Sequence, residues 1–327
     1  MKVCVFGAGA VGGALAVRLR LAGFDVGVVA RGEHGRAIRE HGLTLVAGDN
    51  RHTVRLPCTT EAQALPPADV VFVTVKQTQL PAIAGTLRRM QDAGSRIVLA
   101  MNGIPWWFAR ELPVPDASGV MDAIDPGAVL AATLDPASLV SAVVRSSSEV
   151  VAPGVILSTT PKRNGLVLGR VLRQGEMQLA DIVEVLRKAD HDAVETTDIR
   201  GEIWNKMAMW VAVSPVAALT GLSLDKLACD SAGFRLMCGV MNDMVALGTT
   251  LGFPSGGDVQ RTIGFYRDKP TRPSLLQDVD LGREPELASC VTIFEAIAGG
   301  QGMSLPYLET VASLTRLRFA VGTPAPA

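Results

Sequence analysis

The sequence predicts an α/β protein: a doubly wound parallel sheet in the N-terminal part, followed by an all-helical C-terminal domain. Three observations carry that prediction. Short β-branched runs alternate with amphipathic stretches through the first third, the pattern of strands joined by crossover helices. A glycine loop, Gly7-Ala8-Gly9-Ala10-Val11-Gly12, sits between the first run and the first helical stretch, which makes the sheet Rossmann-type. From Asp198 onward the texture is nearly all helix.

Each element has its own signal. Residues 3–6 are a short apolar strand, and 11–22 a helix stopped by Gly23 with Arg18 and Arg20 near its end. Residues 25–30 form the next strand, and 35–41 a second helix ending at Gly42. Residues 43–47 and 52–56 flank Gly48-Asp49-Asn50 and predict a hairpin. A strand over 69–76, a helix over 80–90 and a strand over 97–102 continue the alternation. Trp106, Trp107 and Phe108 begin a short helix, but the proline-rich stretch 105–136 gives no clear pattern. Two apolar runs follow within 150–169 around a turn at 161–165, then a helix over 178–188 and a strand over 193–196. Asp198, with Glu202 soon after, suits the N-cap of a long helix. The domain boundary is therefore expected between 197 and 198, giving a nucleotide-type domain over 1–197 and a helical domain over 198–327. Residues 323–327, with two prolines, are expected to fray.

Composition narrows the function. The 327 residues carry 31 Lys+Arg against 32 Asp+Glu, so no basic face favours nucleic acid. Hydrophobic residues at 48% supply a core for two domains. The five cysteines show no C-x-x-C spacing and read as reduced thiols rather than a disulfide frame or a metal site. Met1 and Lys2 lead straight into the first strand without a signal sequence. The apolar stretch 203–222 is interrupted by Lys206, Ser214, Pro215 and Gly221, a buried helix rather than a membrane span. A cytoplasmic protein without membrane partners is expected. The methionines at 207, 209, 237, 241 and 244 fit a core and equally fit a homodimer face.

The glycine loop has the strand–turn–helix context that a dinucleotide pyrophosphate requires. Gly7 permits the turn, Gly9 the close approach, and Gly12 the packing of helix on strand. An NAD site would carry Asp or Glu at the end of the second strand; here Arg31 stands there. A guanidinium suits a 2′-phosphate, so NADPH is the expected cofactor. The competing assignment leaves Arg31 solvated and puts Glu33 on the ribose. Lys76 and Asn102 end the next two strands, on the edge where ligands of such sheets bind.

A dinucleotide site implies hydride transfer, and where the acceptor is a carbonyl that transfer also needs a proton. The four histidines, His34, His41, His52 and His191, all precede the helical domain. Lys206, the only charge between Glu202 and Asp225, is the better candidate, because desolvation inside an apolar helix eases release of its proton. Asp278, Asp280, Glu284 and Glu286 are all available by spacing as its carboxylate partner.

Together these residues resemble the ketopantoate reductase (2-dehydropantoate 2-reductase) family. The likeness runs through Val5–Gly12, Arg31, Val73-Thr74-Val75-Lys76, Asn102-Gly103, the stretch 199–206, Ser274-Leu275-Leu276-Gln277-Asp278, Glu286 and Pro306. The resemblance implies NADPH-dependent reduction of a small 2-oxo acid to a 2-hydroxy acid, with ketopantoate and pantothenate biosynthesis as the expected setting. It implies Lys206 as general acid, Glu286 on the substrate hydroxyl and the Lys, Ser274 on the carboxylate, and Lys76 and Asn102 at the reacting end of the cofactor. Where the family carries Asn one and two turns beyond the Lys, this chain has Trp210 and Ser214. After Glu286 it has Ala288, Val291 and Thr292 in place of polar residues. These departures predict a more apolar pocket and leave open a different 2-oxo acid. The remaining alternative is a non-catalytic NADPH sensor.

Overall fold

The computed structural model describes residues 1–161, 164–173, 177–255, 257–283 and 285–320. In chain order come β1 (Lys2–Phe6), α1 (Ala10–Leu21), β2 (Asp25–Val29), α2 (Gly32–His41), β3 (Leu43–Ala47), β4 (Asn50–Val54), β5 (Cys58–Thr59), β6 (Val70–Val73), α3 (Leu80–Asp92) and β7 (Arg96–Leu99). Short helices α4 (Trp106–Ala109), α5 (Val120–Ile124) and α6 (Val129–Thr133) precede β8 (Leu139–Val144), β9 (Ser148–Ala152), β10 (Val155–Ser158), β11 (Gly165–Arg170), α7 (Ala180–Lys188) and β12 (Asp192–Glu195). Helices complete the chain: α8 (Ile199–Thr220), α9 (Leu224–Cys229), α10 (Ser231–Thr250), α11 (Val259–Gly264), α12 (Ser274–Asp280), α13 (Ile293–Gly300) and α14 (Pro306–Ala320). The tail expected to fray lies outside the described residues.

The first unit comprises residues 1–102 and 128–199. Its main sheet has the order β12-β11-β8-β7-β6-β1-β2-β5. β1 lies between β2 and β6 and is parallel to both, and β7 and β8 continue in parallel. Val3, Cys4 and Val5 are buried, as expected of a strand covered on both faces. The sheet is not wholly parallel: β11 runs antiparallel to β8. Between those two strands the chain makes β9 and β10 instead of a crossover helix, so the direction reverses. β8, which is absent from the strands that the sequence predicts, is buried at all six positions.

β3 and β4 form the expected hairpin, but its partners come from far along the chain. β10 pairs parallel with β3, and β9 antiparallel with β10, closing a four-stranded second sheet. α1 is covered by strands of both sheets, and eight consecutive residues, Gly12 to Leu19, are buried. That explains why α1 is apolar on every side instead of showing one clean stripe.

The second unit comprises residues 103–127 and 200–327, so the chain changes unit at about 102, 127 and 199 instead of once at 197. Residues 103–127 join the helical unit because their aromatic residues are part of its core. Phe108 meets Phe253 edge-on at 5.4 Å, Trp204 stacks on Phe253 at 5.6 Å, and Phe294 meets Trp204 at 5.5 Å. Arg200, itself buried, lies over the Trp107 ring and donates to Glu111. The proline-rich stretch that carries no periodicity is thus anchored by a cation–π contact and an ion pair. Among the described residues no helix is long and apolar enough to cross a membrane.

Candidate active site

Each unit presents a separate group of the predicted residues. In the first unit, β7, β6, β1 and β2 are parallel neighbours. Their C-terminal ends therefore share one edge. Asn102, Lys76, the glycine loop and Arg31 follow those ends in that order across the sheet. β1 has the next strand in sequence, β2, on one side and the later β6 on the other. This is the switch point where an open α/β sheet leaves a crevice.

The loop is shaped by contacts rather than by flexibility. Gly7 has φ +101, and a Cβ there would meet Val75 Cγ1 at 2.7 Å. Gly7 and Ala8 both donate their N–H groups to the Val29 carbonyl, at 3.0 and 3.3 Å. Thr74 Oγ1 donates to the Gly7 carbonyl at 2.5 Å. A Cβ on Gly12 would fall 2.2 Å from both the Gly7 carbonyl oxygen and Thr74 Oγ1, so only glycine lets α1 approach β1 and the end of β6. Gly9 differs: a Cβ there meets nothing within 4 Å.

An anionic dinucleotide fits this cradle. Gly9 is the N-cap of α1 and offers no side-chain acceptor, and the first turn carries no acidic residue. By helix geometry the N–H groups of that first turn have no carbonyl four residues back. They and the positive end of the helix dipole suit a pyrophosphate lying over the bare Gly9 backbone. Because the Gly7 and Ala8 N–H groups are already engaged, the donors left to the ligand begin at Gly9 and run through Ala10, Val11 and Gly12. Arg31 is the exposed, extended N-cap of α2, which starts three residues earlier than expected. Lys76 is half-buried and Asn102 exposed.

The second unit holds Lys206, Trp210 and Ser214 along α8 at four-residue spacing, which places them on one face. Lys206 is half-buried among neighbours that are largely buried. Trp210 packs against buried Cys290, Val291 and Ala312. Ser214 is 1% exposed, and its hydroxyl has no partner among the described residues. Pro215 follows it inside the helix and removes one backbone bond there. Ser274 is exposed at the first position of α12, after Pro273.

Of the four candidate carboxylates, Asp280 is engaged by Arg272 (Nε to Oδ2 3.1 Å) and buried Asp278 stands 4.0 Å from Arg283. Glu284 lies outside the described residues. Glu286 is half-buried and stands two residues before a π-helical segment, Ala288–Thr292, in which Thr292 N–H reaches back five residues to the Leu287 carbonyl at 3.1 Å. Such wide turns insert one extra residue and are common at functional sites. No periodicity signal announces this one.

One residue of the first unit was missed. His34, in the first turn of α2, touches the glycine loop: its Nε2 lies 2.7 Å from the Ala8 carbonyl oxygen. The sequence offers this histidine only as a proton donor, and nothing local announces a contact with a loop 26 positions earlier.

Comparison with known proteins gives the same assignment for both units. The model described as ketopantoate reductase PanE/ApbA matches residues 3–106, and that described as ketopantoate reductase PanE/ApbA C terminal matches 198–318. A 2-dehydropantoate 2-reductase of Mesorhizobium japonicum is 31% identical over 324 residues, covering 98% of each chain. A solved structure from Ralstonia solanacearum MolK2, provisionally assigned as a ketopantoate reductase, superposes with TM-score 0.85 at 30% identity over 98% of each chain. A D-mandelate dehydrogenase solved with NADH and anilino(oxo)acetate shares the fold, with TM-score 0.81 over 98% of this chain and 99% of its own, at 16% identity.

Proposed function

The chain belongs to the ketopantoate reductase family and is an oxidoreductase, and from that premise we propose that it reduces a 2-oxo acid, ketopantoate, with NADPH. The observation that carries the proposal is the shared edge of four parallel strands, where a cradle without a Cβ, a guanidinium, an ammonium and an amide follow one another. The N–H groups from Gly9 to Gly12 hold the pyrophosphate, and Arg31 takes the 2′-phosphate. Lys76 and Asn102 orient the reacting end of the cofactor. When bound, NADPH supplies a hydride to the carbonyl carbon. Lys206 delivers a proton to the carbonyl oxygen, so that the product is the alcohol rather than an alkoxide. Glu286 holds the substrate hydroxyl and the Lys206 ammonium, and Ser274 the carboxylate. Trp210 borders the substrate on that face of α8, whereas Ser214, expected beside it, is 1% exposed and offers the substrate no surface.

Purified protein should oxidise NADPH when ketopantoate is added. Lys206→Ala should lower kcat about 10²–10⁴-fold while NADPH still binds. A protein that binds NADPH but turns over no 2-oxo acid, before or after that substitution, would be a sensor, and the catalytic assignment would fall.

One observation favours a second reading, reduction of a more apolar 2-oxo acid. Trp210 is half-buried, at a position where an amide would grip a hydroxylated substrate. A panel of branched and aromatic 2-oxo acids assayed beside ketopantoate decides between the two. The highest kcat/KM for ketopantoate would remove the second reading.

A further inference from the structure

His34 holds two separate pieces of backbone. Its Nδ1 lies 3.1 Å from the Gly154 backbone nitrogen, at the turn between β9 and β10, and its Nε2 lies 2.7 Å from the Ala8 carbonyl oxygen. Gly154 N–H can only donate, so Nδ1 must accept. Nε2 then carries the proton and donates to Ala8. Both ring nitrogens are satisfied in one neutral tautomer.

The consequence follows from the planarity of the next peptide. In a trans peptide the carbonyl of residue 8 and the N–H of residue 9 point in opposite directions. Drawing the Ala8 carbonyl toward the imidazole therefore turns the Gly9 N–H the other way. Gly9 N–H donates to no described residue, and of the loop glycines 7, 9 and 12 it is the one with open space beside it. Released, the same peptide could rotate and present the carbonyl oxygen to the site, which would repel an anion.

We propose that His34 is a positioning residue of the nucleotide site: its Nε2–H fixes the Ala8–Gly9 peptide so that Gly9 N–H is aimed at the dinucleotide pyrophosphate. This rests on the nucleotide reading of the glycine loop given above. Arg31 selects between cofactors through the 2′-phosphate, whereas His34 acts on the pyrophosphate that NADPH and NADH share. Loss of the His34 contact therefore weakens both cofactors alike.

The two ring nitrogens can be separated by substitution. In His34→Gln the amide nitrogen replaces Nε2 and keeps the Ala8 bond. In His34→Asn the amide oxygen replaces Nδ1 and keeps only the Gly154 bond. Titration of the whole protein with NADPH and with NADH, followed by nucleotide fluorescence, should show both Kd values raised about tenfold in His34→Asn. In His34→Gln they should stay within about threefold of wild type. In steady-state assays with ketopantoate, His34→Asn should raise KM for NADPH and leave kcat at saturating NADPH unchanged. Equal binding by His34→Asn and wild type, or equal losses in the Asn and Gln variants, would overturn the proposal while leaving the cofactor assignment intact. A wild-type protein that bound neither dinucleotide would overturn the cofactor assignment and this proposal with it.

Discussion

Replacing Gly9 and Gly12 by alanine separates the two jobs of the glycine loop. At Gly12 the new methyl falls 2.2 Å from the Gly7 carbonyl oxygen and from Thr74 Oγ1, and 2.9 Å from Val5 Cγ1. Each oxygen contact is short by about 1 Å or more. The two oxygens are hydrogen-bonded to each other, so neither can withdraw alone. Overpacking of a closed site costs about 1–3 kcal/mol, and with no slack on this side the upper end, ~3 kcal/mol, is expected for Gly12→Ala. At Gly9 the backbone has φ −70 and ψ −155, which alanine adopts without strain, and the methyl meets nothing. Alanine is a poorer N-cap than glycine, but it restricts the unfolded chain, so the two effects offset to within about 0.5 kcal/mol. The methyl nevertheless occupies the approach of the pyrophosphate. Urea denaturation and NADPH titration of both variants form the assay. Gly9→Ala should unfold like wild type and bind NADPH at least about tenfold more weakly. If Gly9→Ala bound NADPH normally, no phosphate would approach that backbone. If it unfolded as readily as Gly12→Ala, the open space beside Gly9 would have no meaning.

Three further outcomes are expected. Removing the Arg31 guanidinium forfeits a charge-assisted phosphate contact of ~1.5–3 kcal/mol, a roughly ten- to hundredfold rise in Kd for NADPH, while NADH stays within about threefold; equal weakening of both would return Arg31 to the solvated surface. Burial pushes the His191 imidazole down to about 4, against an ordinary 6.5, with the Arg18 charge adding to the effect and the Asn164 carbonyl and Asp190 opposing it. Its stabilising contribution is present above the unfolded value and is lost as pH falls from about 6.5 through 4, some 3 kcal/mol in all; urea midpoints across that range should fall less steeply in His191→Leu, and parallel curves would exclude this histidine as the source. Glu111→Gln removes the carboxylate to which buried Arg200 donates and should destabilise the helical unit by about 2 kcal/mol, less than the ~3–5 kcal/mol of a fully buried pair because Glu111 is partly exposed; an unchanged urea curve would mean that this ion pair does not anchor residues 103–127.

What the sequence disclosed, and what it withheld, follows from how local each signal is. The strand–loop–helix at residues 2–21 and the strand ends at Arg31, Lys76 and Asn102 were legible because apolar runs and glycines mark them within a few residues. The second sheet was half legible: the β3–β4 hairpin has a local turn, whereas its pairing with β10 joins residues more than a hundred positions apart. Residues 103–127 were illegible for a related reason. Their aromatic side chains are explained only by Phe253, Trp204 and Arg200, all later in the chain. His34 belongs with these, since both backbone groups it holds lie outside its own helix.

The departures from the family pattern change meaning once their surroundings are known. In the sequence, Trp210 and Val291 stand as two replacements that both make a substrate pocket more apolar. Val291 is fully buried and packs with Cys290 and Ala312 against Trp210. A side chain without exposed surface contacts no substrate, so Val291 is the seat of the indole rather than a wall of the pocket. Trp210 is half-buried and is the member of the pair left with surface to offer a ligand. The two positions are therefore coupled. An amide at 210 would face an apolar bed at 291 and forfeit the packing of the indole on it, a large-to-small change that costs about 3–5 kcal/mol for a fully buried ring and less at this half-buried position. Trp210→Asn alone is accordingly a poor test of specificity, because loss of packing would be mistaken for a change of substrate preference. Trp210→Phe keeps an aromatic ring on Val291 while shortening its reach. If the indole sets the choice of 2-oxo acid, that substitution shifts the ratio of kcat/KM between ketopantoate and aromatic 2-oxo acids at little cost in stability; an unmoved ratio would leave Trp210 as packing alone.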